Sequence, residues 1–346
     1  MPVLFGILIC LLVVAITSLD FFRRRFYKWF HRIHHLNWIF LLLSVTHSWT
    51  LWNYFFIGSV LYIVDKIVRL HKSIHPFKVA SIHPTEDGGH TCLVMTPLHD
   101  EFQFSAGQFG WINIPAIDPI SWHPFSMVPM KDEIGVRFVI KSNGPNTWTG
   151  NLLSLSPAST LTLTESSTDF GSINSTETEG KSLLEKSQDS PIEVHLDGPY
   201  GQLSINPSNY GRIVLIAGGV GITPMASIFF DIAIRRPMKM VTCTLYWTVR
   251  SPEIFSVFEK EFSEICSANP NSMKVIYIAT QSKGQVMIGE NEIRKERLNV
   301  LDELTRYSVD RRDLGVFVCG PQVLVESTVT ACRSIDCDVH TEIFEF

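Results

Sequence analysis

The sequence predicts a multi-domain protein in which transmembrane α-helices precede an antiparallel β-barrel and an α/β domain with a parallel sheet. Apolar residues concentrate at the start of the chain, where helices that cross a membrane would lie. Short alternating strands follow from about residue 76, and strands alternate with helices after Pro207. The predicted domains are therefore residues 1–72, 73–208 and 209–346.

Composition and charge limit the classes of protein to which the chain can belong. The chain has 346 residues, of which 45% are hydrophobic, and its formal net charge is -5. No basic cluster lies beyond residue 80, which argues against nucleic-acid binding. The 7 cysteines are scattered without a Cys-x-x-Cys motif, as is typical of reduced thiols in a cytosolic compartment.

The membrane part is predicted from three apolar segments: Val3–Leu19, Leu36–Val45 and Leu51–Val64. A span needs about 20 apolar residues, so the second and third need their aromatic flanks. Basic stretches follow the first and third segments, whereas the turn between the second and third is uncharged. The positive-inside rule therefore predicts three spans, with the N-terminus outside and everything beyond residue 70 in the cytosol. A signal peptide at the first segment is the alternative, although no basic n-region or cleavage site is present.

The soluble part begins with a predicted barrel. Its strands are Val79–Ile82, Thr91–Thr96, Gly110–Ile114 and Gly135–Ile140, which are short and closely spaced. A segment rich in Ser, Thr, Glu and Gly, residues 164–190, is predicted to be a disordered insertion.

The last part alternates strands with helices. Strands are predicted at Arg212–Ala217, Met240–Trp247, Lys274–Ala279 and Val316–Cys319, and a helix at Pro224–Arg235. Such alternation predicts a doubly wound parallel sheet.

A glycine cluster, Ile216-Ala-Gly-Gly-Val-Gly-Ile-Thr-Pro224, follows the first of these strands. Glycines let the backbone approach a pyrophosphate, whose charge the N–H groups of the next helix can bind. The order of the glycines differs from the Rossmann G-x-G-x-x-G pattern. A tight strand–helix turn without a ligand is the alternative.

Further motifs keep a fixed order along the chain. They are Ala106-Gly-Gln-Phe-Gly-Trp111, Trp122-His-Pro-Phe-Ser126, Asp197-Gly-Pro-Tyr-Gly201, Tyr246-Trp-Thr-Val-Arg250, Val318-Cys-Gly-Pro321 and His340-Thr-Glu-Ile-Phe-Glu-Phe346. With the glycine cluster they resemble the ferredoxin–NADP reductase family over residues 104–346. Together with Arg23-Arg-Arg and the histidines near it, the whole chain resembles the ferric reductase and NADPH oxidase superfamily.

That resemblance implies an FAD-binding barrel. Phe125 would pack on the isoalloxazine and Ser126 would hydrogen-bond near its reactive nitrogen. His123 and Pro124 would lie close to the flavin and its diphosphate. The strand and loop that contact the diphosphate would contain Lys141, Trp148 and Thr149.

The resemblance also implies an NADPH site in the third domain. Its glycine loop would contribute Gly218, Gly219, Gly221, Thr223 and Pro224, and the loop that presents a thiol to the nicotinamide would contribute Cys319, Gly320 and Pro321. Arg250 would pair with a 2′-phosphate and favour NADPH over NADH, and a solvated arginine is the alternative. A C-terminal aromatic, Phe344 in preference to Phe346, would cover the flavin. Ser126, Cys319 and Phe344 are the predicted catalytic residues.

Two histidines, His34 and His47, are the predicted ligands of heme iron by the same resemblance. Thirteen residues on an ideal helix separate them by about 20 Å along the axis. No histidine precedes His31, so each b-type heme would lack its second axial ligand in this chain. We therefore expect an N-terminally incomplete reductase; the alternatives are a partner chain that supplies the missing helices and a membrane-anchored flavin reductase.

The predicted function is transfer of electrons from cytosolic NADPH through FAD, and through heme if it assembles, to an acceptor on the far side. Ferric or cupric chelates are the first choice of acceptor, because no calcium-binding segment is present, and dioxygen giving superoxide is the alternative. A non-catalytic membrane partner of a complete reductase is the alternative from another class.

Overall fold

The structure is a computed structural model that describes residues 2–86, 88–98, 102–130, 135–155, 192–235, 240, 242–281, 287–288, 291–307 and 311–342. The chain divides into two compact units, Met1–Lys72 and Ser73–Phe346. The predicted insertion at residues 164–190 lies outside the described residues.

The first unit is helical. Its helices are α1 (Pro2–Thr17), α2 (Asp20–Arg25), α3 (Tyr27–His34), α4 (Leu36–His47) and α5 (Trp49–Ser73). Helices thus lie at all three predicted apolar segments. None of the helices in the described part of the chain is both long enough and apolar enough to cross a membrane. The predicted spans are therefore not confirmed.

The predicted heme ligands do not share one helix, so the spacing argument for an ideal helix was wrong. His34 is the last residue of α3 and His47 the last residue of α4, with His35 between the two helices. The N–H of His35 bonds to the carbonyl of Ile33 instead of continuing the α-helical ladder. The Nε2 atom of His34 lies 3.1 Å from the Nδ2 atom of Asn37, so a local side-chain bond spans the interruption.

The second unit begins with an antiparallel sheet. Its strands are β1 (Ile74–Pro84), β2 (His90–Pro97), β3 (Phe109–Asn113), β4 (His123–Ser126), β5 (Val128–Pro129), β6 (Val136–Lys141) and β7 (Glu193–Tyr200), and α6 (Trp148–Ser154) follows β6. In the described residues the sheet order is β4-β3-β7-β1-β2-β6-β5.

Strands β4 and β5 form the two opposite edges of the sheet, yet only Met127 separates them in the chain. The sheet must therefore curl so that its two edges come close together. Side chains alternate between the two faces, and Leu93 and Met95 on β2 are fully buried in the barrel core. The antiparallel β domain expected from the sequence is confirmed.

The rest of the unit is an α/β domain. Its elements are β8 (Arg212–Gly218), α7 (Ile222–Arg235), β9 (Thr242–Val249), α8 (Glu259–Ala268), β10 (Met273–Ala279), β11 (Met287–Ile288), β12 (Asn291–Glu292), α9 (Val300–Thr305), β13 (Leu314–Cys319), α10 (Gln322–Ile335) and β14 (Asp338–Glu342). Parallel pairs give the order β10-β9-β8-β13-β14 across the described residues, which confirms the predicted parallel sheet. The sequence-based prediction did not include β14.

The central strands are buried on both faces. On β9, Cys243, Leu245 and Trp247 face one apolar cluster, while Tyr246 faces the other. Such two-sided burial explains why these strands are continuous apolar runs in the sequence.

The strand order reverses between β8 and β13. After β8 the chain moves to β9 on one side, whereas β13 lies on the other side of β8. In open α/β sheets, ligands bind at the carboxyl ends of the strands where the order reverses. The ends of β8 and β13, at Ala217 and Cys319 in register, are therefore where the fold itself predicts a crevice.

Candidate functional site

The glycine loop forms one wall of this crevice. Strand β8 ends at Gly218, a short 3₁₀ turn spans Gly219–Gly221, and α7 begins at Ile222. A Cβ added at Gly218 would lie 2.5 Å from Cδ of Pro321, and one added at Gly221 would overlap the carbonyl oxygen of Cys319. These two glycines therefore let the loop after β8 pack directly on the loop after β13.

Gly219 differs from Gly218 and Gly221 in its surroundings. It has a φ of +57°, and no heavy atom lies within 4 Å of a Cβ built on it. Gly219 and Val220 are partly exposed, whereas Gly218 and Gly221 are buried. The part of the loop that a ligand can reach is therefore the segment Gly219–Val220 at the start of α7.

The remaining residues predicted from the glycine motif lie behind that surface. The Thr223 hydroxyl is buried and donates to the carbonyl of Val220 at 3.0 Å. Pro224 is buried within the first turn of α7. Beneath the loop, Trp247 is fully buried and its indole N–H donates to the carbonyl of Gly219 at 3.1 Å. Thr223 and Trp247 thus hold the shape of the loop.

The opposite wall is the end of β13. The Cys319 side chain is fully buried, and Gly320 has a φ of +157° and packs against the backbone of Gly218. Burial raises the pKa of the Cys319 thiol, and the nearby Glu342 carboxylate raises it further. The thiol is therefore a neutral S–H group at physiological pH. Pro321 is exposed at the start of α10.

The strand beside β13 carries two polar residues that the motif analysis did not assign to the site. Glu342 lies opposite Cys319 in the β13–β14 register. His340 is buried, and its Nε2 atom lies 3.0 Å from a carboxylate oxygen of Glu342. Its Nδ1 atom accepts from the backbone N–H of Ser204 at 3.1 Å and lies 2.7 Å from the Ser204 hydroxyl. His340 therefore joins β14 to the segment that leaves the barrel.

A second contact joins the barrel to the α/β domain. The backbone N–H of Gly107 lies 3.4 Å from the hydroxyl of Ser227 on α7. Next to Gly107, the carbonyl of Gln108 accepts from the N–H of Met127, which directly follows Ser126. The end of the strand that carries the predicted flavin residues is thus linked through this loop to the helix after the glycine loop.

That strand, β4, pairs with β3 and presents an aromatic surface. The His123 ring lies 4.5 Å from the Trp148 ring, and the Phe125 ring stacks on Trp148 at 5.9 Å. Pro124 and Ser126 alternate with these two rings along the strand, and Ser126 is buried. Three aromatic side chains thus converge from β4 and α6.

The His123 imidazole is half-buried and has a carboxylate near it. Burial lowers its pKa, against the opposing effect of Asp118. The pKa of Asp118 is itself lowered, first by the hydroxyl of Ser121 and then by the backbone N–H of Ile120. His123 is therefore neutral at pH 7.

The segment expected to contact a diphosphate contains a helix where the sequence suggested a loop. Thr147 caps α6 by accepting from the N–H of Gly150, and the Thr149 hydroxyl accepts from the N–H of Asn143. Lys141 is exposed at the end of β6. The indole nitrogen of Trp148 is buried and has no hydrogen-bond partner among the described residues. A buried N–H without a partner costs about 1–3 kcal/mol, so this donor is a candidate for bonding to a ligand.

Arg250 follows β9 directly and is exposed at the carboxyl edge of the parallel sheet. Its carbonyl accepts from the N–H of Gln281, which follows β10. The guanidinium is therefore available to a ligand at this edge.

Four predicted site residues remain: Phe344, Phe346, His34 and His47. Phe344 and Phe346 lie outside the described residues, and His34 and His47 lie in the first unit. Among the described residues, no group of three or more metal-ligating side chains comes together.

Four residues of the site were missed as site residues: Ser204, Ser227, Glu342 and the histidine at position 340. Both serines and the His340 ring act through contacts between segments more than 100 residues apart, which no local motif encodes. The His-x-Glu spacing at 340–342 was the one available signal.

Comparison with known proteins agrees with this geometry. A family model described as an FAD-binding domain matches residues 88–204. A second, described as a ferric reductase NAD binding domain, matches residues 210–297.

Similar relatives come from two groups. A superoxide-generating NADPH oxidase heavy chain of Dictyostelium discoideum is 26% identical over 94% of this chain and 66% of its own length. The ferric reductase transmembrane component 1 of Schizosaccharomyces pombe is 27% identical over 73% of this chain and 47% of its own. The chain thus spans about half to two thirds of these relatives.

Solved structures share the fold. A ferredoxin NADP+ reductase from Neisseria gonorrhoeae superposes with a TM-score of 0.51 at 15% identity, covering 78% of this chain and 98% of that one. At that identity the likeness is one of fold alone.

Proposed function

We propose that the chain, whose matched domains and relatives are those of ferric reductases and NADPH oxidases, transfers electrons from NADPH through FAD to ferric or cupric chelates. This proposal rests on a series of contacts between the two domains. The series runs from Ser126 through Met127, Gln108 and Gly107 to Ser227. It ties the end of the aromatic strand to the helix that follows the glycine loop. A flavin and a pyridine nucleotide bound to these two elements would lie side by side.

The flavin would be held by β4 and α6. When bound, FAD accepts a hydride from a reduced nicotinamide and releases electrons singly. Phe125 offers a ring for stacking, and Ser126 follows it at the end of the strand. Trp148 offers a donor that has no partner among the described residues. Lys141 offers a positive charge for the diphosphate, with His123, Pro124 and Thr149 beside it.

The nucleotide would be held by the crevice between β8 and β13. Gly219 leaves room for a pyrophosphate at the start of α7, where backbone N–H groups attract anions. Gly218, Gly221 and Gly320 allow the two loops to meet, and Thr223, Pro224 and Pro321 hold their shape. The neutral Cys319 thiol would border the nicotinamide without repelling it. Arg250 would bind a 2′-phosphate and select NADPH.

The test is NADPH oxidation by the full chain supplied with FAD, with a soluble dye as electron acceptor. Cys319→Ala should lower turnover about tenfold, as loss of a group at the reacting centre does. Cys243→Ala is the matched control, because Cys243 is equally buried in the same apolar cluster and should leave turnover unchanged. Absence of both flavin binding and dye reduction would support the alternative of a non-catalytic membrane partner.

The acceptor distinguishes the two candidate activities. Trapping of ferrous iron from a ferric chelate would support the metalloreductase. Superoxide dismutase-sensitive reduction of cytochrome c would support an NADPH oxidase, as the name of the Dictyostelium relative suggests for that protein. For the cofactor, Arg250→Gln should raise KM for NADPH about tenfold and leave KM for NADH unchanged.

We further propose that residues 1–72 attach the protein to a membrane with the flavin and nucleotide domains on the cytosolic side. The charge pattern around the three apolar segments supports this orientation. His34 and His47 remain proposed heme ligands, one at the end of α3 and one at the end of α4. With the second axial ligands supplied by a longer chain or a partner chain, loss of heme absorbance in His47→Ala would support that assignment, whereas unchanged heme absorbance would contradict it.

A further inference from the structure

The junction between α10 and β14 brings two cysteines together. Helix α10 ends at Ile335, and Asp336 adopts the left-handed conformation with a φ of 58°. The N–H of Cys337 then bonds to the carbonyl of Cys332 at 3.1 Å. This is the 6→1 bond of a Schellman motif, which a contact between the side chains of these two positions frequently accompanies.

The two thiols occupy unequal environments. Cys332 is fully buried in the apolar cluster on one face of the parallel sheet, and Cys337 packs against that cluster while half-exposed. Interaction with the neighbouring Cys332 thiol lowers the pKa of Cys337, against burial and the carboxylates of Asp338 and Asp336, and the same interaction raises the pKa of Cys332.

A partly exposed thiol with a lowered pKa, next to a second thiol that a backbone hydrogen bond holds nearby, has the arrangement of an oxidisable pair. A disulfide needs Cα atoms about 4.4–6.8 Å apart, and a backbone hydrogen bond between the two residues keeps their Cα atoms close. All seven cysteines of the chain lie in its described part and carry free thiols. Cys337 is the one of them whose pKa is lowered.

We propose that Cys332 and Cys337 form a peroxide-sensitive thiol pair that closes to a disulfide. The Cys337 thiolate attacks hydrogen peroxide, breaking its O–O bond to give a sulfenic acid and, after protonation, one water. The Cys332 sulfur then attacks the Cys337 sulfur, and the sulfenic oxygen leaves with the Cys332 proton as a second water. Both sulfurs are oxidised by one electron each, and one peroxide is reduced to two waters.

The disulfide would fasten β14 to the helix before it. Strand β14 carries His340 and Glu342, which border the end of β13. The inference depends on thiol chemistry alone and does not rest on the proposed electron transfer.

The experiment uses the full chain, reduced and then freed of reductant. After addition of hydrogen peroxide, remaining thiols are alkylated and each cysteine peptide is quantified by mass spectrometry. We expect Cys332 and Cys337 to lose alkylation together and to appear as one cross-linked peptide that dithiothreitol reverses. Cys337 should react on the order of tenfold faster than Cys266, because a lower pKa gives more thiolate.

A matched pair provides the control. Cys243 and Cys266 also lie close enough to influence each other, but burial raises the pKa of both. Cys266→Ser should leave formation of the disulfide unchanged, whereas Cys337→Ser should leave Cys332 open to alkylation after peroxide and denaturation. Separate oxidation of Cys337 to sulfinic acid, with Cys332 still alkylated in the unsubstituted chain, would overturn the proposal.

Discussion

The nucleotide crevice and the flavin strand are built in different ways. At the crevice, backbone packs on backbone: Gly221 lies against the Cys319 carbonyl, and Gly218 lies against Gly320. At the flavin strand, side chains form the surface, and Phe125 and Trp148 stack there. A substitution in the crevice should therefore act first on folding, whereas one at the flavin strand should act first on the ligand.

The largest expected effect is at Gly221. A Cβ there overlaps the Cys319 carbonyl oxygen and lies 3.0 Å from the Gly320 nitrogen, and backbone atoms of a central strand yield little. Gly221→Ala should lower the free energy of unfolding by about 3 kcal/mol, as measured by urea denaturation. Gly219→Ala is the control, since its Cβ meets open space and only the left-handed backbone costs about 1 kcal/mol. Equal losses of unfolding free energy in the two variants would contradict the claim that close packing at Gly221 costs more than the left-handed backbone at Gly219.

His340 tests the link between the two regions. His340→Ala removes a buried ring that bonds to Ser204 and Glu342, so the free energy of unfolding should fall by about 2 kcal/mol. His195→Ala is the matched control, because His195 pairs with Glu193 two residues away but is more exposed, and it should cost less than about 0.5 kcal/mol. Calorimetry of both variants measures the two changes in the free energy of unfolding. A stable His340→Ala chain would show that the link contributes little.

Trp148 tests the second region, the flavin strand. Trp148→Phe keeps a ring against Phe125 and removes the buried N–H that has no partner among the described residues. We expect FAD to bind about fivefold more weakly, about 1 kcal/mol, with no decrease in the thermal midpoint of the flavin-free chain, because an unpartnered buried N–H does not stabilise it. Trp111→Phe, an exposed tryptophan on β3, should leave both quantities unchanged. Fluorescence titration with FAD measures the affinity. A large loss of stability in Trp148→Phe would instead assign Trp148 to the core.

The smallest expected effect is the pH dependence that His123 contributes. Burial lowers the pKa of this imidazole in the folded chain below the value of about 6.5 expected when unfolded. The unfolded chain then binds the proton more readily, so stability is full above about pH 6.5 and falls as the pH drops toward the folded pKa. His123→Gln should flatten the thermal midpoint between pH 7 and pH 5, and an unchanged slope would contradict this.

Much of the site was predictable from the sequence because it follows strand ends. The cluster at Gly218–Gly221 and the run Val318–Pro321 each lie at the end of an apolar strand, and local pattern is enough to find such positions. The helix that begins at Trp148 was not predicted. Its cap at Thr147 depends on the shape of the preceding loop, which the spacing of residues along the chain does not reveal. Strand β14 was missed because its short polar stretch has no apolar alternation and forms at the edge of the sheet.

The sequence by itself determined the order of the antiparallel and parallel sheets, the strand–helix alternation and the two motifs that border the candidate site. These depend on hydrophobic period and on glycine, which act over a few residues. Only the tertiary structure decided which glycines pack and which face open space, and that His340 meets Ser204 and Cys332 meets Cys337. The contact of His340 with Ser204 depends on strand order and exists only once distant segments have folded together, whereas the approach of Cys337 to Cys332 depends on the turn that ends α10.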